Sequence, residues 1–128
     1  MHKFVKKNMK IICFLLSTFI SVGVFAQTEI KMEEINKHVG DSVKICTKIY
    51  GGIYLDRSKE TLTLINAGGN YPNSPLTLVI SPELRKEYET APEEMYKDKQ
   101  VCIIGKVELF KEKPQIKILS KSQIVLTQ

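Results

Sequence analysis

The 128-residue chain has no tryptophan, two histidines and three cysteines. Each scarcity removes a kind of chemistry. His2 and Cys13 fall in the first 26 residues, so only His38, Cys46 and Cys102 remain beyond them. That is too few ligands for a zinc site, and no metal is expected. The cysteines form no Cys-x-x-Cys motif and have no base at a recognisable spacing, which argues against thiol catalysis. Gly68-Gly69 is not followed by Lys-Ser/Thr into a helix, so it is no phosphate loop. The acidic pairs Glu33-Glu34 and Glu93-Glu94 are adjacent on helical stretches, where neighbours point apart, and they read as solvated faces. Asp41, Asp56 and Asp98 sit at turns, where Asp is structural. No catalytic residue and no cofactor is expected, and the chain reads as non-enzymatic.

What is present begins with Lys3, Lys6, Lys7 and Lys10, followed by the apolar run Ile11 to Ile20 and then Val24-Phe25-Ala26. This pattern predicts a secretory signal peptide over residues 1–26, cleaved after Ala26. The run is too short to span a bilayer. Cys13 lies inside it, away from the cleavage point, so no lipid anchor is expected. The reading is a periplasmic or secreted product, residues 27–128, with no membrane span after cleavage. Removal of the segment takes Lys+Arg from 19 to 15 while Asp+Glu stays at 14, and the net charge falls from +5 to +1. The basic balance of the whole chain is therefore no argument for nucleic acid or an anionic membrane. Two remaining cysteines in an exported chain favour a disulfide over buried thiols.

Residues 27–128 read as one small domain, expected to be a monomer. Thr28 to His38 predicts a short helix, capped by Thr28 and stopped at Gly40. Val43, Ile45, Thr47 and Ile49 then alternate with Lys44, Cys46 and Lys48 in a strand, bent or broken at Gly51-Gly52. Leu62 and Leu64 alternate with Thr61, Thr63 and Ile65 in a second strand, and the leucines are expected inside. Asn66 to Pro75 is a loop. Leu76, Leu78 and Ile80 form a third strand. Ser81-Pro82-Glu83 and Thr90-Ala91-Pro92-Glu93 open two short helical pieces, the second as a capping box. Val101, Ile103, Val107 and Leu109 mark one face of a fourth strand, with a bulge at Gly105. Ile116 and Ile118 belong to a fifth, and Ile124 to Leu126 closes the chain.

Five short strands with a helix between the third and fourth match the layout of a five-stranded OB-fold Greek-key barrel, here all-β with an added N-terminal helix. Gly40-Asp41-Ser42-Val43 resembles the opening of its first strand. Gly105-Lys106-Val107 followed by Pro114-Gln115-Ile116 resembles its last hairpin. Leu64 to Ile80, with Asn66, Gly68, Tyr71, Pro72 and Asn73, resembles a group of small exported bacterial OB-fold proteins related to domains that accompany secreted nucleases. The resemblance implies a companion binding domain and carries no nuclease activity. It implies ligand binding on the face of strands two and three. The site candidates there are Tyr50, Tyr54, Tyr71, Phe110, Lys111 and Lys113: aromatics to stack on bases, lysines to follow phosphates. Single-stranded nucleic acid or another oligoanion is the expected partner. The alternatives are a small ligand, as for exported OB proteins of stress tolerance, or an envelope protein. The barrel also makes the first and fourth strands antiparallel neighbours, so Cys46 and Cys102, both on outward faces, are expected to meet.

Overall fold

A computed structural model describes residues 27–127; the expected signal segment, residues 1–26, lies outside them. Every alternating run becomes a strand. In chain order the strands are β1 (Thr28–Ile30), β2 (Ser42–Tyr54), β3 (Thr63–Ala67), β4 (Leu76–Ile80), β5 (Gln100–Lys106), β6 (Glu108–Phe110), β7 (Lys113–Ile118) and β8 (Ile124–Leu126). Two single-turn helices, α1 (Pro82–Arg85) and α2 (Pro92–Met95), separate β4 from β5. Among the described residues the strands form one mixed sheet in the order β6-β7-β4-β3-β2-β5-β8, with β1 beside β2. The β4–β7 and β1–β2 pairs are parallel; the others are antiparallel. Among the described residues no helix is long and apolar enough to cross a membrane.

The ends of this order are close in the chain. Val107 alone separates β5 from β6. Its N–H donates to the Asp41 carbonyl at 3.0 Å and its carbonyl accepts from Gly40 N–H at 2.7 Å. The strand therefore leaves β2 at Val107 and turns to pair with β7. Gly105 permits the turn: a Cβ there would stand 2.5 Å from Ile116 Cγ2 on β7. The core lies between these strands. Ile45, Ile49, Ile65, Leu78, Ile103 and Ile116 are fully buried.

Five details depart from the sequence reading. Thr28–Ile30 is a strand, and only Met32–His38 coils, as a 3-10 helix. An isolated segment this short gains little from helix formation, and Thr28–Ile30 instead takes the ladder offered by Val43–Ile45. On β3 the inside face is Thr63, Ile65 and Ala67, so Leu62 and Leu64 face outward. Thr63 is buried without penalty because its Oγ1 accepts a hydrogen bond from Arg85 Nη1 at 2.8 Å. Leu109 is exposed, because the strand turns after Val107. Gly105 is in regular register opposite Val43 rather than a bulge. Finally, α2 is capped at Ala91 with no side-chain bond, since Pro92 takes its first position. At α1 Ser81 caps as expected, accepting from Leu84 N–H at 3.2 Å.

Among the described residues the one irregularity of strand register falls on β2, between Ile49 and Gly51. Gly51 has φ 143°, a conformation that favours glycine. One extra residue exchanges the two faces of a strand. Before it, Val43, Ile45 and Ile49 point inward. Beyond it, Ile53 pairs with outward Leu64 and Tyr54 with inward Thr63. The strand bends at the glycines and does not break.

Candidate nucleic-acid interface

The register of four strands fixes what their outer face presents. Ile53 on β2 stands beside Leu64 on β3, then Val79 on β4 and Lys117 on β7. The next row is polar: Asn66, Thr77, Gln115 and Glu108. Beyond it Lys113 is paired with Phe110 across the β6–β7 hairpin, so these side chains share a face. The β3–β4 loop folds over part of this surface, held by the Ser74 hydroxyl on Asn66 Oδ1 at 3.4 Å. Together they enclose a groove of about 460 Å³, within the size range of small-ligand sites. Ile53, Leu64, Tyr71 and Pro72 supply apolar wall, Asn66 and Thr77 supply polar floor, and Lys113 supplies the positive charge.

The six sequence candidates divide. Tyr71 and Lys113 line the groove, and Tyr71 is 79% exposed. Phe110 stands beside Lys113 with its ring exposed, and Lys111 Nζ lies 5.4 Å from that ring's centroid. Tyr50 and Tyr54 are elsewhere. Tyr50 lies under Lys48, 5.0 Å from its ammonium. Tyr54 faces the other side of the sheet, where Arg85 stacks 3.7 Å from its centroid. The bulge explains the separation: equal parity in sequence stops meaning equal face once a residue is inserted.

Ile53, Leu64, Asn66 and Thr77 were missed by sequence reasoning. The exposed side of β3 carried the signal, in leucines that the composition pulled toward the core.

Behind the groove the inward side of β3 is closed by charge. Arg85 makes two hydrogen bonds to Glu93, at 2.7 and 3.1 Å, besides its bond to Thr63. Burial alone would raise the Glu93 carboxyl. The hydrogen bond and charge of Arg85, with a backbone N–H, outweigh burial and hold it below its ordinary value. Nearby, Tyr88 and Tyr96 meet through their hydroxyls at 3.0 Å. Burial raises both phenols above their usual range, so neither ionises near neutral pH. These groups tie α1 and α2 to the sheet. A second hollow, about 400 Å³, lies over Tyr88 beside Glu87, Glu89 and Lys121; its acids suit an anion poorly.

Cys46 and Cys102 stand directly opposite each other on β2 and β5 and are joined by a disulfide. Among the described residues no group of three or more His, Cys, Asp or Glu is placed to hold a metal.

No family model matches the chain, and no curated protein does. Among solved structures it is similar to a chain described as an aspartyl-tRNA synthetase from Leishmania major Friedlin, with a TM-score of 0.50 and 11% identity. The match covers 96% of this chain and 26% of that one, so the likeness spans about a quarter of the larger protein. At this identity it is a likeness of fold: a mostly β sheet of mixed direction with few helices.

Proposed function

We propose that this protein is an exported, non-enzymatic binding module of the OB type, and that its groove takes single-stranded nucleic acid. The observation that carries this reading is the groove itself. It lies on the outer face of β3 and β4, with Tyr71 on one wall and Phe110 beside Lys113 at the hairpin. Exposed aromatics next to lysines on such a face are what base stacking and phosphate contact require. The parallel β4–β7 step, the antiparallel β2–β5 pair and the Gly105–Ile116 approach support closure into a five-stranded barrel. β1 and β8 are then additions to its edges. The solved structure of similar fold is described by its name as an aspartyl-tRNA synthetase, which is compatible with this reading and adds no residue to it.

Export rests on residues 1–26 and is consistent with the disulfide, a bond that persists in oxidising compartments. The test is titration of a fluorescent oligonucleotide at several salt concentrations. With Lys111 and Lys113 as the phosphate contacts, log K should fall against log salt with a slope of about −1.4. No binding at low salt, where phosphate contacts are strongest, ends the proposal.

A second reading has its own observation. The groove's lining holds a single charged residue, Lys113, and a polar floor of Asn66 and Thr77. That composition also suits a small ligand with one anionic group. Stabilisation by mononucleotides or small anions, without binding of oligonucleotides, would favour it.

A further inference from the structure

We propose that the Cys46–Cys102 bond is a thiol–disulfide exchange site, with Cys46 as the sulfur attacked, and that it takes low-molecular-weight thiols. The two cysteines differ in exposure: Cys46 is exposed and Cys102 is half-buried, and on this proposal an incoming thiolate takes the more open residue, Cys46. The surface around Cys46 attracts anions. Lys44 and Lys48 lie two residues to either side on the same outward face. The facing acid is Glu29 on β1, which lies 3.8 Å from Lys44. Lys48 is over the Tyr50 ring. The outward neighbours on β5 and β8 are Gln100, Ile104 and Val125, none of them charged. Lysines beside Cys46 attract an incoming thiolate in the first step, and they favour release of the Cys46 thiolate in the second, when the mixed disulfide is resolved.

The fold also tolerates the cut. The bond lies within a ladder of seven residue pairs, from Ser42↔Lys106 to Lys48↔Gln100. Val43, Ile45, Val101 and Ile103 hold the same two strands together from the buried side. Opening the disulfide therefore leaves both strands paired.

The step balances simply. A thiolate attacks Cys46 Sγ along the S–S axis; the new bond forms as the old one breaks, and Cys102 leaves as a thiolate that takes a proton from water. A second thiolate then attacks the external sulfur of the mixed disulfide and releases Cys46 as a thiolate. Two thiols are oxidised to one disulfide, and the protein bond is reduced by two electrons.

The experiment incubates the folded protein with reduced glutathione in the absence of denaturant. Samples are quenched with N-ethylmaleimide and mapped by mass spectrometry, while near-ultraviolet circular dichroism follows the fold. The expected result is one glutathione on Cys46 and maleimide on Cys102, with the tyrosine signal retained. A Lys44→Gln, Lys48→Gln double variant should exchange about threefold more slowly or worse, having lost the attraction for thiolate. Cleavage only when denaturant is added, glutathione carried by Cys102, or equal rates in the double variant would each overturn the proposal.

Discussion

The two halves of β2 share one alternating pattern and serve different ends. From Ser42 to Ile49 the strand is flanked by β1 and β5, and its outer face carries the disulfide. From Gly51 to Tyr54 it pairs with β3, and its outer face opens into the groove through Ile53. A single inserted residue separates them. It exchanges inside for outside, so the second half presents an isoleucine to solvent and turns a tyrosine toward an arginine. One half is a fastened wall. The other leaves apolar surface uncovered where a ligand is proposed to bind.

Substitutions on either half separate the two roles. The largest effect is loss of the fastening. Replacing both cysteines by alanine should lower stability by roughly 4 kcal/mol, from the chain-entropy cost of a loop this long; the residues are 56 apart in sequence. Urea denaturation measures it, and groove binding should survive in the fraction that remains folded.

Next is the wall's buried side. Ile103→Ala, at a fully buried position, should cost about 3 kcal/mol. Ile53→Ala, at a site 55% exposed, should cost under ~0.5 kcal/mol and weaken ligand binding instead. Similar costs at the two sites would mean the bulge does not exchange the faces.

The third concerns the charge behind the groove. Glu93→Gln should cost about 2 kcal/mol, because it leaves a largely buried guanidinium short of its anion. The sign of its pH dependence follows from the depressed carboxyl. The stabilisation is complete above the unfolded value of about 4.3 and disappears as the pH falls through the lower, folded value. The variant should therefore show a flatter loss of stability in acid, measured by thermal melts across that range.

The fourth change is at the hairpin between Phe110 and Lys113. Lys111 and Glu112 both adopt positive φ, 50° and 68°, which costs a non-glycine residue free energy. Glu112→Gly should stabilise by about 1 kcal/mol and leave the position of Lys113 unchanged.

The existence of strands other than β1 was legible because alternation with period two survives wherever one face is buried; Thr28–Ile30, too short to alternate visibly, was read as helix. The inward sets Val43/Ile45, Leu78/Ile80 and Val101/Ile103 were readable from alternation alone; the meeting of Cys46 and Cys102 needed, besides their outward parity, the barrel layout's pairing of the first and fourth strands. What was hidden lay where a distant group reverses a local preference. Thr63 is inside because Arg85, 22 residues away, satisfies its hydroxyl, and so Leu64 is outside. Tyr54 left the candidate site because a bulge has no signature beyond a glycine pair. Tyr71 and Lys113 could be named from the loop and the hairpin, but their partners Asn66 and Thr77 emerge only from the register of β3 on β4.

The most direct test of the contrast maps contact on both halves at once. Amide chemical shifts of the isotopically labelled protein would be followed during titration with a short oligothymidylate at low salt. Shifts are expected only at Ile53, Leu64, Asn66, Thr77, the loop around Tyr71 and the hairpin from Phe110 to Lys113, with Lys44 to Lys48 and Gln100 to Ile104 unmoved. Shifts centred on the disulfide face, or none anywhere at saturating oligonucleotide, would contradict the proposed binding face.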